Sequence, residues 1–162
     1  MLHLHLKRFE YDPTMDRMVK VNDRFEFYER INLDKYLEEQ EHGKQAYVLH
    51  SMLIHSGDVN GGHYYAYIRP RHKDVEDQWF KFDDERVTIV AKEAAFSDSY
   101  GGEEDAPKHG RMPAKRFSNA YMLVYVREHQ ADEILRDVTN EDIPMHLRER
   151  MEREKARALA CA

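Results

Sequence analysis

The chain has 162 residues and a formal charge of −6, with 41% hydrophobic residues, 35% charged residues and 18 aromatic side chains, a balance that excludes a disordered chain and fits one domain with a hydrophobic core. The acidic balance excludes general affinity for nucleic-acid phosphates and suits a basic protein partner, and no apolar run approaches the roughly 20 residues needed to span a bilayer. A single cysteine supports no disulfide framework and no leader pattern is visible, so an intracellular compartment is expected.

The first element is predicted in "MLHLHLKRFEY", where Leu2, Leu4 and Leu6 alternate with His3, His5 and Lys7, the period of a strand with one buried face. After the turn-like "DPTMD", "RMVKVNDRFEF" reads as a second strand, and "INLDKYLEEQ" places Leu33, Tyr36 and Leu37 at helical spacing. "AYVLHSMLIHS" and "HYYAYIRP" are strand-like and flank a Gly-rich loop, and "QWFKFDDERVTIV" gives two more short strands. "KEAAFSDSYGG" is a short helix stopped by Gly101 and Gly102. Residues 102–118, rich in Pro, Gly and charge, read as a mobile loop. "NAYMLVYVRE" is the most apolar strand and is expected in the middle of the sheet. From Ala131 the chain is helical and charged, and the segment after Pro144 is too polar for a core, so it reads as a connector or an interaction arm.

The chemistry concentrates in "SGDVNGGHYYAY" and "WFKFDD". If "HYYAYI" and "QWFKFDD" form an antiparallel hairpin, Ile68 lies near Trp79, Tyr64 near Asp83, and His63 near Asp84. A slip of one residue exchanges the faces, so spacing leaves both Asp83 and Asp84 as candidate partners of His63. A carboxylate on one imidazole nitrogen sets the tautomer and stabilises the imidazolium, the orienting role in a nucleophile–His–Asp triad. Taken singly, each feature has a plainer reading: one of ten histidines in a turn, Asn-Gly as hairpin punctuation, "DD" as a solvated strand end. Their coincidence favours catalysis. His50, His55 and His63 are spaced by five and eight residues, which matches no common zinc pattern, so neither a metal nor a cofactor is expected.

"LHLKRFEYD", "NDRFEF", "YVLHSMLIHSGDVNGGHYYAYIRP", "WFKFDDERVTIV", "SYGG" and "NAYMLVYVRE" resemble, in this order, the second half of the ubiquitin-specific protease catalytic domain. The resemblance implies an α+β, papain-like cysteine protease fold: an antiparallel palm sheet over residues 1–130, short helices, and a charged helical connector over 131–162 leading to ubiquitin-like domains. It implies His63 as general base, Asp83 as its orienting partner and Asp84 as polar support. Tyr64, Gly61 and Gly62 would line a slot for the Gly-Gly tail of ubiquitin, with Asp58 and His55 shaping the loop. "EYDPTMDR" and "SGDVNGG" would be two loops folding over that tail. The implied partners are ubiquitin and ubiquitinated proteins, in nucleus and cytoplasm. The family attacks with a cysteine thiolate, and the single cysteine, Cys161, ends a charged helix where the macrodipole disfavours a thiolate. The nucleophile is therefore expected in an N-terminal half of the catalytic domain that precedes Met1. The alternative is a chain that binds ubiquitin or another partner without cleaving it.

Overall fold

A computed structural model describes residues 1–38, 45–70, 77–103 and 115–160. Its centre is a seven-stranded antiparallel sheet in the order β1 (Leu2–His5), β9 (Ser118–Arg127), β5 (Ala46–Gly57), β6 (Gly62–Ile68), β7 (Trp79–Asp83), β8 (Arg86–Val90), with β4 (Arg30–Asn32) also paired to β5. A separate hairpin joins β2 (Phe9–Asp12) to β3 (Arg17–Lys20). The helices are few: α1 (Lys92–Ser99), α2 (Ala131–Ile134) and α3 (Met145–Ala160). The result is a mixed domain of one antiparallel sheet and short helices, in agreement with the α+β expectation. No helix of the described residues is long and apolar enough to cross a membrane.

β5 and β9 are adjacent inner strands of the sheet, β9 lying next to the edge strand β1, and their inward side chains, among them Leu49, Met52, Ile54, Leu123 and Tyr125, are buried with Trp79 of β7. The apolar character of "NAYMLVYVRE" follows from this position, since β9 is paired on both edges, to β1 and β5. α1 closes one side by setting Phe96 edge-on to Trp79 and beside Phe27. It ends as expected before Gly101 and Gly102, both at positive φ; a Cβ at Gly101 would stand 2.9 Å from the Asn22 carbonyl oxygen.

Four sequence expectations need correction. The leading strand is two strands, broken at Leu6–Arg8, because the buried Arg8 guanidinium turns inward and donates to the carbonyls of Ala120, Val21, Asp23 and Tyr100. Leu2 and Leu6 pack on the core, whereas Leu4 is exposed. The second strand stops at Lys20, and the segment after it follows Arg8 and the end of α1 without pairing as a strand. Helical spacing in "INLDKYLEEQ" yields only a single 3-10 turn at Asp34–Tyr36, with Tyr36 exposed, while Ile31 joins β4; residues 39–44 lie outside the described residues. Most of the loop expected over 102–118 also lies outside them, apart from a bridge between Glu103 and Lys115.

The fourth correction concerns register. β6 and β7 pair Ala66 with Phe82, Tyr67 with Lys81 and Ile68 with Phe80, one residue away from the expected Ile68–Trp79 alignment. Trp79 decides it. Its fully buried indole must face the core, and a slip of one residue would turn it to the other face.

Candidate functional site

His63 stands near the start of β6, and Asp83 ends β7, one step past the last paired residues of the two strands. Continued by one step, the observed register sets Asp83 opposite Tyr65, so Asp83 and His63 are diagonal neighbours on one face. Their side chains meet there, with His63 Nε2 2.5 Å from Asp83 Oδ1. The other carboxylate oxygen, Oδ2, is held 2.6 Å from Lys81 Nζ, which also lies 4.0 Å from the centre of the Tyr65 ring. Tyr65 in turn stacks on His63, the ring centres 6.3 Å apart. The hydrogen bond from Lys81 and then that from His63 lower the Asp83 pKa below the ordinary carboxylate value, so the group is anionic at neutral pH. Asp84 occupies the two-residue turn into β8 with φ 51°, an exposed left-handed position that Asp tolerates.

His55 lies across the sheet on β5, paired with Tyr64, and its ring is buried between Phe9 and Tyr64 at 5.3 and 4.7 Å. Burial, and then the charge of Lys20, lower its pKa, which keeps the imidazole neutral at neutral pH. A Cβ on Gly62 would sit 2.3 Å from His55 Nε2 and 2.5 Å from the Ser56 carbonyl oxygen, so only glycine fits. Gly61 differs: a Cβ there would meet nothing within 4 Å. Tyr64 is half exposed, whereas Tyr67 is buried in the core. β9 carries a bulge at Tyr121, whose ring lies 5.8 Å from that of Tyr64. Asp58 stands exposed in the loop after β5, where Oδ1 accepts from the Asn60 backbone N–H at 2.8 Å.

The family model described as ubiquitin carboxyl-terminal hydrolase matches residues 1–125. The chain belongs to the ubiquitin carboxyl-terminal hydrolase family. Over 155 residues it is 49% identical to Ubiquitin carboxyl-terminal hydrolase 7 of Drosophila melanogaster, covering 95% of this chain and 13% of that protein. It is 48% identical over 166 residues to Ubiquitin C-terminal hydrolase 13 of Arabidopsis thaliana, covering 95% and 15%. It is also 48% identical over 157 residues to Ubiquitin carboxyl-terminal hydrolase 15 of Schizosaccharomyces pombe, covering 94% and 14%. The chain thus spans about one seventh of the length of the curated relatives it matches.

Within this chain, His63, Asp83 and Asp84 bring ligand atoms to within 4.8 Å of one another, the one group among the described residues able to offer three donors to a metal ion. Both Asp83 oxygens are already engaged, and a cation there would have to displace the Lys81 ammonium. The donor set therefore suits an orienting pair better than a metal centre. Lys81 is the site residue that sequence reasoning missed. Its signal was present in "KFD", because residues two apart on a strand share a face. Cys161 lies outside the described residues.

Proposed function

We propose that this chain supplies the general base and its orienting carboxylate to a deubiquitinating cysteine protease that hydrolyses the peptide or isopeptide bond after the C-terminal glycine of ubiquitin. The observation that carries the proposal is the short contact between His63 Nε2 and Asp83 Oδ1 on a carboxylate kept anionic from its other side by Lys81. Asp83 accepts the Nε2–H, which leaves Nδ1 unprotonated and able to take a proton. A thiol is the partner the family chemistry requires, supplied by an N-terminal half of a papain-like catalytic domain. His63 takes the thiol proton, and the thiolate attacks the carbonyl carbon after the terminal glycine. The imidazolium then gives the proton to the leaving amine, and the C–N bond breaks to leave a thioester. Water, deprotonated by His63, hydrolyses the thioester, returning free thiol and the ubiquitin carboxylate. Tyr64, Gly61 and Gly62 line the approach of the Gly-Gly tail, Asp58 and His55 shape the loop, and Asp84 supports the turn.

We also place the chain beside the herpesvirus-associated ubiquitin-specific protease, the member with an N-terminal TRAF-like domain and C-terminal ubiquitin-like domains, acting in nucleus and cytoplasm. The support is the run "EILRDVTNEDIP", which resembles its link from catalytic domain to ubiquitin-like modules. Residues 1–130 are then the palm and 131–162 the connector.

The test is a ubiquitin carrying a cysteine-directed electrophile at its C-terminus, applied to this chain together with the N-terminal half. Labelling on a cysteine of that half, lost in His63→Ala while ubiquitin still binds, is the expected result. Labelling of Cys161 in the chain alone, or labelling indifferent to His63, would overturn the reading.

A further inference from the structure

Lys20 closes the β2–β3 hairpin side of the site, and its surroundings differ from those of every other lysine described. Its ammonium donates to three backbone carbonyls: His55 at 2.9 Å, Gly57 at 3.0 Å and Phe117 at 2.6 Å. Two of those carbonyls belong to the end of β5, whose last residue, Gly57, leads into the loop 58–61, and the third to the residue before β9. An ammonium has three N–H groups and all three are taken, so Lys20 has none left for a substrate. The groups acting on its charge are Arg8, which opposes it, Asp58, which favours it, and His55, whose own pKa it lowers. Burial, foremost, brings Lys20 down to about 8, so it is mostly charged at neutral pH despite the cost of desolvation.

The position of the clamp gives it a role. β3 is one arm of the hairpin whose turn, residues 12–16, is preformed by Asp12 Oδ1 accepting from the backbone N–H groups of Thr14 and Met15 at 2.8 and 3.2 Å, and by Tyr11 donating to Asp16. The opposite bank is the loop 58–61, and an open groove runs between them, lined by Arg17, Val19, Asp58, Asn60 and Phe117. Among the described residues, the one side chain whose hydrogen bonds join the hairpin to the base of that loop is Lys20. The carbonyl it holds at His55 belongs to the residue whose ring abuts Gly62, next to His63.

We propose that Lys20 is a positioning residue that pins the β2–β3 hairpin to the base of the loop 58–61, fixing the separation of the two loops beside His63. The catalytic consequence rests on the function proposed above, in which both loops fold over the ubiquitin tail: Lys20 sets how well the tail binds and leaves the chemical step to His63 and Asp83. The coupling of the two loops does not depend on that function.

Two measurements separate these levels. Amide hydrogen exchange on the full chain reads the coupling directly. In Lys20→Met the amides of Gly57, Asp58 and Asn60 should exchange about tenfold faster, the scale expected when charge-assisted hydrogen bonds are lost, with the amides of β7 and β8 unchanged. Lys20→Arg, which keeps the charge and several donors, should recover part of the protection. Unchanged loop amides, or an equal acceleration across the whole sheet, would overturn the proposal whatever the enzyme's activity. Steady-state cleavage of a ubiquitin amide by this chain joined with the N-terminal half reads the consequence: Lys20→Met should raise KM about tenfold and change kcat less than about twofold. A fall in kcat at constant KM would overturn the positioning role. Absence of cleavage in the unmodified protein would instead count against the proposed function, with the exchange result standing on its own.

Discussion

The Asp83 carboxylate is shared between two partners of different kinds, the Lys81 ammonium on one oxygen and the His63 imidazole on the other. Lys81→Met should therefore raise the Asp83 pKa toward the ordinary carboxylate value, read by carbon NMR of the labelled side chain, while Lys81→Arg should keep it low. The sign for stability follows from the same shift. Because the folded-state pKa is depressed, the contribution of the ionised group is present above the unfolded carboxylate pKa near 3.8 and is lost as pH falls through the folded value. In the complete enzyme, Asp83→Asn should lower kcat about tenfold by removing charge from a hydrogen bond, whereas Asp84→Asn, in an exposed turn, should change it by less than about twofold. Equal effects of the two substitutions would remove Asp83 from its role. The adjacent glycines offer a second contrast by thermal unfolding: Gly62→Ala should cost about 1–3 kcal/mol by driving a methyl into His55 and Ser56, and Gly61→Ala should stay within about 0.5 kcal/mol.

Among the elements, α3 is exposed along all of its described residues, and its side chains answer one another through pairs such as Arg150–Glu154 and Lys155–Glu152. The preceding segment is closed by its own knot, in which Arg136 and Thr139 hold the Asp142 carboxylate. Truncation after Ile143 should thus shift stability by less than about 0.5 kcal/mol, measured as the thermal midpoint of the joined protein; a larger loss would show that the helix packs on the sheet. The polarity of this helix was plain in the sequence because nothing but composition decides it. So were β5 to β9, where alternation and turn residues agree. The breaks were not legible where a distant group sets them: β1 and β2 separate at Arg8, whose hydrogen-bond acceptors include Ala120, 112 residues away. The register of β6 and β7 was hidden for a similar reason. The long connection left it free, and the burial of Trp79 fixes it only once α1 has packed on that face.

For the molecule as a whole, His63 and Asp83 come from one meander, β5 to β8, in which each strand pairs with the next in sequence. The outer strand β1 obeys another rule, since Leu2 pairs with Tyr125 and His5 with Met122 across more than a hundred residues. Closing so long a loop carries a larger entropic cost than forming a hairpin, and non-local pairings of this kind are slow to form. On the ribosome the order is stricter still. β1 is synthesised before every other strand of this sheet and has no partner in it until β9 has emerged, by which time the meander bearing His63 and Asp83 has long been complete. Within this sheet the strand made earliest is the last to find its place, and the face that carries His63 and Asp83 is assembled before the sheet is closed.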